Sequence, residues 1–414
     1  MRPIDSSRDP LRGRRPHTAR GHASAQWQAR EGVRAYSWPV VQIQRMHMWA
    51  ALLAVLVAVA LVMPTSFVVE GAGPALNVNG VVASDSAHKK PVVAVSGVPT
   101  YATESAIFLT TVSSWGTVNS GVPGFEALRA LLSADYQLLP VRMLYPDSST
   151  EQAVEAQNKQ LMASSQDSAA AVAFDLAGLP VHETLTVMRV DKKYPAAAVL
   201  QKGDVITGIR RVVRGGSYTQ VENFMDLSSF LAEVNPGQEV QLAIERDGYE
   251  QEVSTVTVAR HVDQNGTLQP GAMLGVGIGV TNIRIPGKVS YGVTDIGGPS
   301  AGLMFTLGIY DQLTEGSLAG TTPLGGTGTM EWDGKVGPIG GIVHKMRGAA
   351  KHNVKNFLAP RGNCAQTIGH EPAGMHVWAV STAAEAIAAA KAIAAGNTST
   401  LTPCAAVGNS NLGK

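Results

Sequence analysis

Residues 289–313 read VSYGVTDIGGPSAGLMFTLGIYDQL. Val289–Asp295 alternates like a strand. Gly297 and Gly298 permit a tight turn. Pro299 suits the first helical position, because its φ is preset and it has no N–H to lose. The following AGLMFTLGIYDQL reads as a buried helix of small and apolar residues. Ser300 therefore stands at a helix start, where unpaired backbone N–H groups gather at the positive end of the dipole. Such donors can hold the oxyanion formed when a hydroxyl attacks a carbonyl. A serine is a weak nucleophile without a base, and a serine at this place is also an ordinary helix cap.

A base is offered downstream, in GTGTMEWDGKVGPIGGIVHKMRGAAKHNVKNFLAP (326–360). Thr329–Trp332 reads as a strand, Asp333-Gly334 as a hairpin turn and Lys335–Gly337 as the return strand. A glycine-rich turn, Pro338–Gly341, precedes a helix from Val343 to His352. Lys345 falls in its first turn, where the dipole disfavours a cation. If Lys345 is also desolvated, its amine is free near neutral pH and can accept the serine proton. A lone lysine at a helix start is otherwise a solvated surface residue.

Taken together, the two strings resemble the Lon-type Ser-Lys protease domain. GGPSAG matches that family's nucleophile motif and GKVGPIGGIVHK its lysine motif, in similar order and spacing, over residues 262–392. The resemblance implies Ser300 as nucleophile and Lys345 as general base. It implies Thr327 as the residue holding the lysine amine, and backbone N–H groups near Gly298 and Ser300 as oxyanion donors. Two departures stand out. Gly297 occupies a place often acidic, with Asp295 two residues earlier, and His344 stands where Glu is common. A Ser300–His344 pair is conceivable, although neighbours on a helix point about 100° apart.

Residues 180–260 order themselves as strand (LTVMRV, 185–190), short Pro-started helix, strand (DVITGI), helix (MDLSSFLAEV, 225–234) and hairpin turning at Asp247-Gly248. This order, with Pro195-Ala196 running into Gly203-Asp204-Val205-Ile206, resembles bacterial PDZ modules attached to proteases. A PDZ groove adds an extended peptide to a sheet edge. The expected groove strand is Leu185–Val190, with Leu185 and Val187 lining it. The preceding loop, Gly178-Leu179-Pro180-Val181, is the expected carboxylate receiver.

Further upstream, AIFLTTV (106–112) reads as a strand. FEALRALLSADY (125–136) is amphipathic, with Phe125, Leu128, Leu131 and Leu132 on one face. Residues 149–178 form a long helical pattern, capped by Ser149 or Thr150 and ended by Gly178. These helices are expected to be scaffolding, and 71–100 a linker followed by short strands.

Residues 49–69, WAALLAVLVAVALVMPTSFVV, carry no charge. Twenty-one residues span about 30 Å as a helix, enough for one bilayer crossing. Residues 1–47 hold nine Arg, no Lys and three acidic residues, so the remainder is net negative although the chain totals +1. That asymmetry predicts a cytoplasmic N-terminus and an extracytoplasmic remainder. A cleaved signal peptide and a buried soluble helix are the rival readings. Cys364 and Cys404 then lie where a disulfide is permitted, with two free thiols as the alternative.

Composition excludes disorder, with hydrophobic residues at 45% and charged residues at 16%, and the near-zero net charge excludes a strongly basic nucleic-acid binder. The sequence has no GxxxxGK[ST] phosphate loop, no HExxH and no CxxC, so neither an ATPase, a metal nor another cofactor is expected. The expected fold is α+β, with one transmembrane helix, a PDZ-like β-rich domain and a Lon-type α/β domain. Its divisions are a basic cytoplasmic arm (1–47), the transmembrane helix (48–69), a linker and N-terminal part (70–179), PDZ (180–260), protease (262–395) and a C-terminal tail (396–414). The arrangement resembles a bacterial membrane-anchored family of PDZ-Lon proteases. The expectation is an ATP-independent serine endopeptidase acting on flexible or unfolded polypeptide segments and anchored in the cell membrane, and the resemblance implies a homo-oligomeric ring. The rivals are an inactive Lon-like scaffold serving as a PDZ adaptor, and a protein that cleaves only itself.

Overall fold

The computed structural model describes residues 38–83, 89–117, 120–145, 150–213, 216–261, 270–293 and 297–409. Most of the basic arm and Asp295 lie outside the described residues. Two units are distinguished, residues 1–58 and residues 59–414. A helix covers Trp38–Val62, and its Arg45–Val62 stretch is apolar and long enough to cross a membrane. The helix stops there because Pro64 follows closely and the next residues are β-branched and aromatic. Residues 67–69, expected inside the membrane segment, instead begin a strand, and Val68 and Val69 are buried in the second unit.

That strand, Phe67–Asn77, belongs to a six-stranded sheet. Its neighbours in order are His376–Val380, Asn356–Pro360, Leu324–Gly326, Ile107–Trp115, Phe67–Asn77 and Tyr136–Pro140. The first four are mutually parallel, and the last two pairings are antiparallel. Residues 71–100, expected as a linker followed by short strands, therefore start inside this sheet, and residues 67–140 supply three of its six strands, beside those of residues 324–380. A chain read in linear order hides this, because the partners of Ile107–Leu109 are Leu324–Gly326.

Alternation along the strands feeds two cores. Leu358 and Val380 face one side, where they meet the helices Glu151–Leu176, Gly302–Leu313 and Ala383–Ala394. Phe357, Ala359 and Val377 face the other, against the helix Ile342–Ala350. The Glu151–Leu176 helix is capped by Thr150, whose side chain accepts from the Ala153 N–H at 3.2 Å. Its second half, from Ser165 to Phe174, is rich in Ala and Ser and largely buried. Small side chains let it approach the Gly302–Leu313 helix closely.

The chain leaves this core at Gly178 and builds a second sheet in the order Tyr249–Val256, Glu239–Arg246, Val205–Arg211, His182–Val190 and Val276–Arg284. Its own core contains Leu185, Ile206, Leu227, Leu242 and Leu274. The helix Phe224–Ala232 is started by a capping box of Asn223 and Asp226. Arg246 forks onto the buried Asp204 carboxylate at 2.7 Å. The strand Val276–Arg284, expected within the protease, completes this PDZ-like sheet, so the module stands between residues 67–178 and residues 288–409, which build the first sheet and its two cores together. The C-terminal segment is likewise no free tail. Cys404 is buried and joined to Cys364 by a disulfide, and Trp378 bridges to Pro403.

Candidate active site

Gly298 adopts φ +84°, a left-handed turn that favours glycine, and Pro299–Ala301 form a single 3₁₀ turn leading into the helix Gly302–Leu313. Ser300 lies inside that turn, whose cap residue is Gly298, and the cap of the following helix is Ala301, so it is not an ordinary capping serine. Ser165 Oγ from the long helix donates to the Pro299 carbonyl at 2.9 Å. A Cβ on Gly302 would sit 2.5 Å from that same Ser165 Oγ and 2.8 Å from the Met330 nitrogen. The Ser300 turn is thus clamped between the long helix and the Thr329–Met330 strand.

The lysine helix begins after Gly341, itself left-handed at φ +67°. Lys345 lies in its first turn and is only 3% exposed. Its Nζ is 2.7 Å from Ser300 Oγ and 3.0 Å from Thr327 Oγ1. Thr327 Oγ1 in turn donates to the Ser300 carbonyl at 3.0 Å, and the Gly328 N–H donates to the same oxygen at 2.9 Å. Burial pushes the Lys345 amine down to about 8, while the Glu70 carboxylate opposes that fall. Burial also raises Glu70, against the pull of the lysine charge.

Chemically the arrangement is directional. The Thr327 proton is committed to the Ser300 carbonyl, so Thr327 can only accept from the amine. One N–H of a neutral Lys345 is thereby pinned, and its lone pair is left for the Ser300 hydroxyl. Ser300, Lys345 and Thr327, named from the sequence, stand within hydrogen-bond distance of one another. Gly298 stands beside them, but its N–H is turned toward the Asn158 carbonyl at 3.4 Å. His344 is buried with neither ring nitrogen hydrogen-bonded, and it makes no bond to Ser300. Glu70, Asn158 and Ser165 were not singled out from sequence. Glu70 did carry a signal, as the one charge in the run FVVEGAG.

The strand expected to form a peptide groove is not a sheet edge. Gly178 and Leu179 end the long helix, with their N–H groups donating to the Asp175 and Phe174 carbonyls at 2.9 and 3.0 Å. Those donors are spent on helix termination and cannot receive a carboxylate. Leu185 and Val187 are fully buried, and the strand they belong to is covered on one edge by Val205–Arg211 and on the other by Val276–Arg284. The open edge is instead that of Val276–Arg284, last in its sheet. A cleft of about 580 Å³ separates it from the Phe224–Ala232 helix, lined by Leu227, Leu231, Leu274, Val276 and Ile278. Glu331, Asp333 and Lys335 close one side of it. Gly275, at φ +80°, shapes the entry to the strand, where a Cβ would meet the Tyr194 ring at 2.5 Å.

A serine at a helix start, bonded to a desolvated lysine amine, is the layout of serine hydrolases that use lysine as base. Residues 280–389 match the family described as the Lon protease (S16) C-terminal proteolytic domain. Residues 280–389 are thus similar to the Lon proteolytic domain, which is a serine-peptidase domain, and most of the PDZ-like sheet precedes them in the chain. Lon protease 2 of Bacillus subtilis (strain 168) is 30% identical over 106 residues, which are 26% of this chain and 18% of that protein. The chain thus matches less than a fifth of that relative's length. Among solved structures, the PDZ domain of an SdrC-like protein from Listeria monocytogenes is 22% identical, covering 23% of this chain and 85% of that one, at a TM-score of 0.18. The corresponding PDZ domain from Listeria innocua is 23% identical over 22% of this chain and 91% of that one, at 0.17. At such scores the PDZ-like description rests on the strand order and the cleft given above.

Proposed function

We propose that this chain is a membrane-anchored, ATP-independent serine endopeptidase that cleaves flexible or unfolded polypeptide segments with a Ser300–Lys345 dyad. The observation that carries the reading is the 2.7 Å contact between a desolvated Lys345 amine and Ser300 Oγ. In the proposed cycle, neutral Lys345 takes the Ser300 proton as Oγ attacks the scissile carbonyl. The oxyanion is met by the Ser300 N–H at the helix start. The resulting ammonium returns the proton to the leaving amine, and the acyl group stays on Oγ. The same amine then deprotonates a water, which releases the acyl group and restores the hydroxyl.

Anchoring is supported by the apolar Arg45–Val62 stretch and by the arginines that precede it. The Cys364–Cys404 disulfide supports an extracytoplasmic catalytic unit. The absence of a phosphate loop from the sequence supports independence from ATP. The cleft beside Val276–Arg284 is the proposed substrate-binding or gating element. Ser228 on its helix bonds Asp333 Oδ2 at 3.3 Å, and the Asp333 hairpin continues the strand that clamps the nucleophile turn.

A serine-reactive probe applied to the full chain tests the reading. Labelling of the wild type that disappears in Ser300→Ala supports it, and equal labelling of both proteins sinks it. One observation favours a resting form. The Gly298 N–H faces Asn158 rather than the space above Ser300, so the turn would have to shift before two donors converge on an oxyanion. Probe labelling that rises only after a peptide fills the cleft would assign the structure to that form.

A further inference from the structure

The short helix Gly124–Leu131 is built the wrong way round for a soluble surface. Its small residue Ala130 is buried, whereas Phe125, Leu128, Leu131 and the following Leu132 are exposed by 51, 47, 73 and 79%. Glu126 lies off that face, and the exposed Arg129 borders it, about 40° round the helix from Phe125. Nearby Met143 is 71% exposed as well. A contiguous apolar face of this kind calls for a cover.

The fold also fixes where this helix sits. The last turn of the apolar run ends with the Met63 N–H donating to the Val59 carbonyl at 2.9 Å. The Met63 carbonyl then accepts from the Gly124 N–H at 3.1 Å, and Pro64 bridges to Pro123. A Cβ on Gly124 would stand 2.2 Å from the Ala60 carbonyl oxygen, so the junction admits no side chain there. The helix therefore starts at the level at which the apolar run ends. Trp115 and Tyr136 pack edge to face at 5.8 Å beside it, and Arg129 lies over the Tyr136 ring at 5.3 Å. Aromatic rings and arginine at that level suit a membrane–water interface.

We propose that Gly124–Leu131 lies flat in the interface of the bilayer entered by Arg45–Val62, with Phe125, Leu128, Leu131 and Leu132 at the acyl-chain boundary. This rests on the anchoring reading above. Lipid is the occupant because the apolar face continues from the end of the apolar run rather than standing apart from it. The consequence is orientation. A single spanning helix leaves a catalytic unit free to tumble, and a second contact point fixes it. The Arg347 guanidinium, two residues past Lys345, donates to the Ala134 carbonyl just beyond the helix. Lipid contact is thereby tied to the lysine helix.

The test uses the full chain in vesicles of phosphatidylcholine with phosphatidylglycerol. The two native cysteines are paired, so one introduced cysteine can carry an environment-sensitive dye. Leu131→Cys reports on the proposed face, Leu132→Cys repeats it should the first label disturb folding, Leu56→Cys reports on the anchor and Glu250→Cys on the PDZ-like hairpin. With nitroxide on the lipid chains, the dyes at 131, 132 and 56 are expected to lose at least half their emission and the dye at 250 almost none. Quenching at 56 with none at 131 or 132 overturns the inference and leaves the anchor standing. No quenching at any position overturns the anchoring reading and this one with it. Dyes at 131 and 132 that are shielded from water yet unquenched by lipid, in particles of doubled or greater mass, assign the face to a second copy and equally overturn it.

Discussion

Ser300 and Lys345 are 45 positions apart and arrive on helices that pack against opposite faces of one sheet, yet Oγ and Nζ stand 2.7 Å from each other. They meet beyond the short strand Leu324–Gly326, where Thr327 fills the gap between them. The dyad is therefore as sound as the parallel pairing of that strand with Ile107–Leu109 and Asn356–Leu358.

The first prediction concerns pH. Burial brings the Lys345 amine down to about 8, and the Glu70 carboxylate holds it above where burial alone would leave it. A general base works in its deprotonated form, so kcat/KM on a peptide is expected to rise with pH and level off above about 8. Glu70→Gln removes the charge that favours the ammonium, and the rise should move to lower pH. A profile that falls as pH increases, or a Glu70→Gln profile displaced upward, contradicts the assignment of Lys345 as base.

Thr327 provides the second. Thr327→Val keeps the volume but removes both the acceptor for Lys345 and the donor to the Ser300 carbonyl. The amine would then lose its orientation while remaining buried. A fall in kcat of about 10²–10⁴ is expected, within the range of a general-base contribution, with KM little changed. Thr327→Ser should recover most of the loss, because the hydroxyl is restored. Equal defects in the two variants would point to packing of the methyl group instead.

Much of this site was legible in the sequence for a local reason. Glycine and proline punctuation at Gly298-Pro299 and at Gly341 fixes the starts of two helices, and the helix starts fix Ser300 and Lys345. The capping of the long helix by Thr150 and its stop at Gly178 are local in the same way. What stayed hidden depends on distant pairing. Phe67–Asn77 reads as the end of a membrane segment followed by a glycine-rich linker, because nothing within it announces Ile107–Trp115 and Tyr136–Pro140 as its neighbours. The covering of the expected groove strand was hidden for the same reason. Leu185–Val190 has the composition of a sheet-edge strand, but the strand that covers it lies about ninety residues later, past the PDZ-like hairpin. Asp295, singled out as a possible acidic neighbour of Ser300, lies outside the described residues.

The third prediction follows from the relocated cleft. Ser228 projects from the helix that lines it and bonds Asp333, whose hairpin leads back to the Ser300 turn. A peptide that docks in the cleft should change the rate at which Ser300 hydrolyses a small chromogenic ester. Ser228→Ala is expected to weaken that change by severalfold or more, since a hydrogen bond to a carboxylate contributes about 1.5–3 kcal/mol, while the ester rate without peptide should stay within about twofold because Ser300 and Lys345 are untouched. Substituting Leu185 would test the earlier placement, but it lies in the core and would report only on stability. An unaltered peptide response in Ser228→Ala would separate the cleft from the active site.

The fourth prediction concerns the junction between the two halves of the fold. The Glu183 carboxyl is raised to about 7, chiefly by burial and further by Asp175 and Asp226. Its Oε2 accepts from the Phe224 N–H at 2.8 Å, so the group is needed as an acceptor although its charge is unwelcome. A carboxyl raised in the folded state binds protons that the unfolded chain has already released. This group therefore lowers stability as pH rises from about 4.5 to about 7 and adds nothing further above that. Glu183→Gln keeps an acceptor for Phe224 and removes the charge. Its melting temperature is expected to exceed that of the wild type at pH 8 and to match it near pH 4.5. A variant that is less stable at pH 8 would show that the carboxylate is stabilised by its surroundings rather than strained by them.

The last prediction rests on the Cys364–Cys404 bond, which closes a separation of 40 residues. A loop of that length restrained in the unfolded chain is worth about 4 kcal/mol by chain entropy. Both cysteines lie in a core with Ile342 and Met346, two residues of the lysine helix. Loss of the bond should therefore reach the dyad through packing, beyond its effect on overall stability. Cys404→Ala is expected to lower the melting temperature by several degrees. It should also reduce labelling at Ser300 at temperatures where the far-ultraviolet spectrum is still native. A variant that melts earlier but labels normally below its transition would confine the disulfide to global stability and uncouple it from the placement of Lys345.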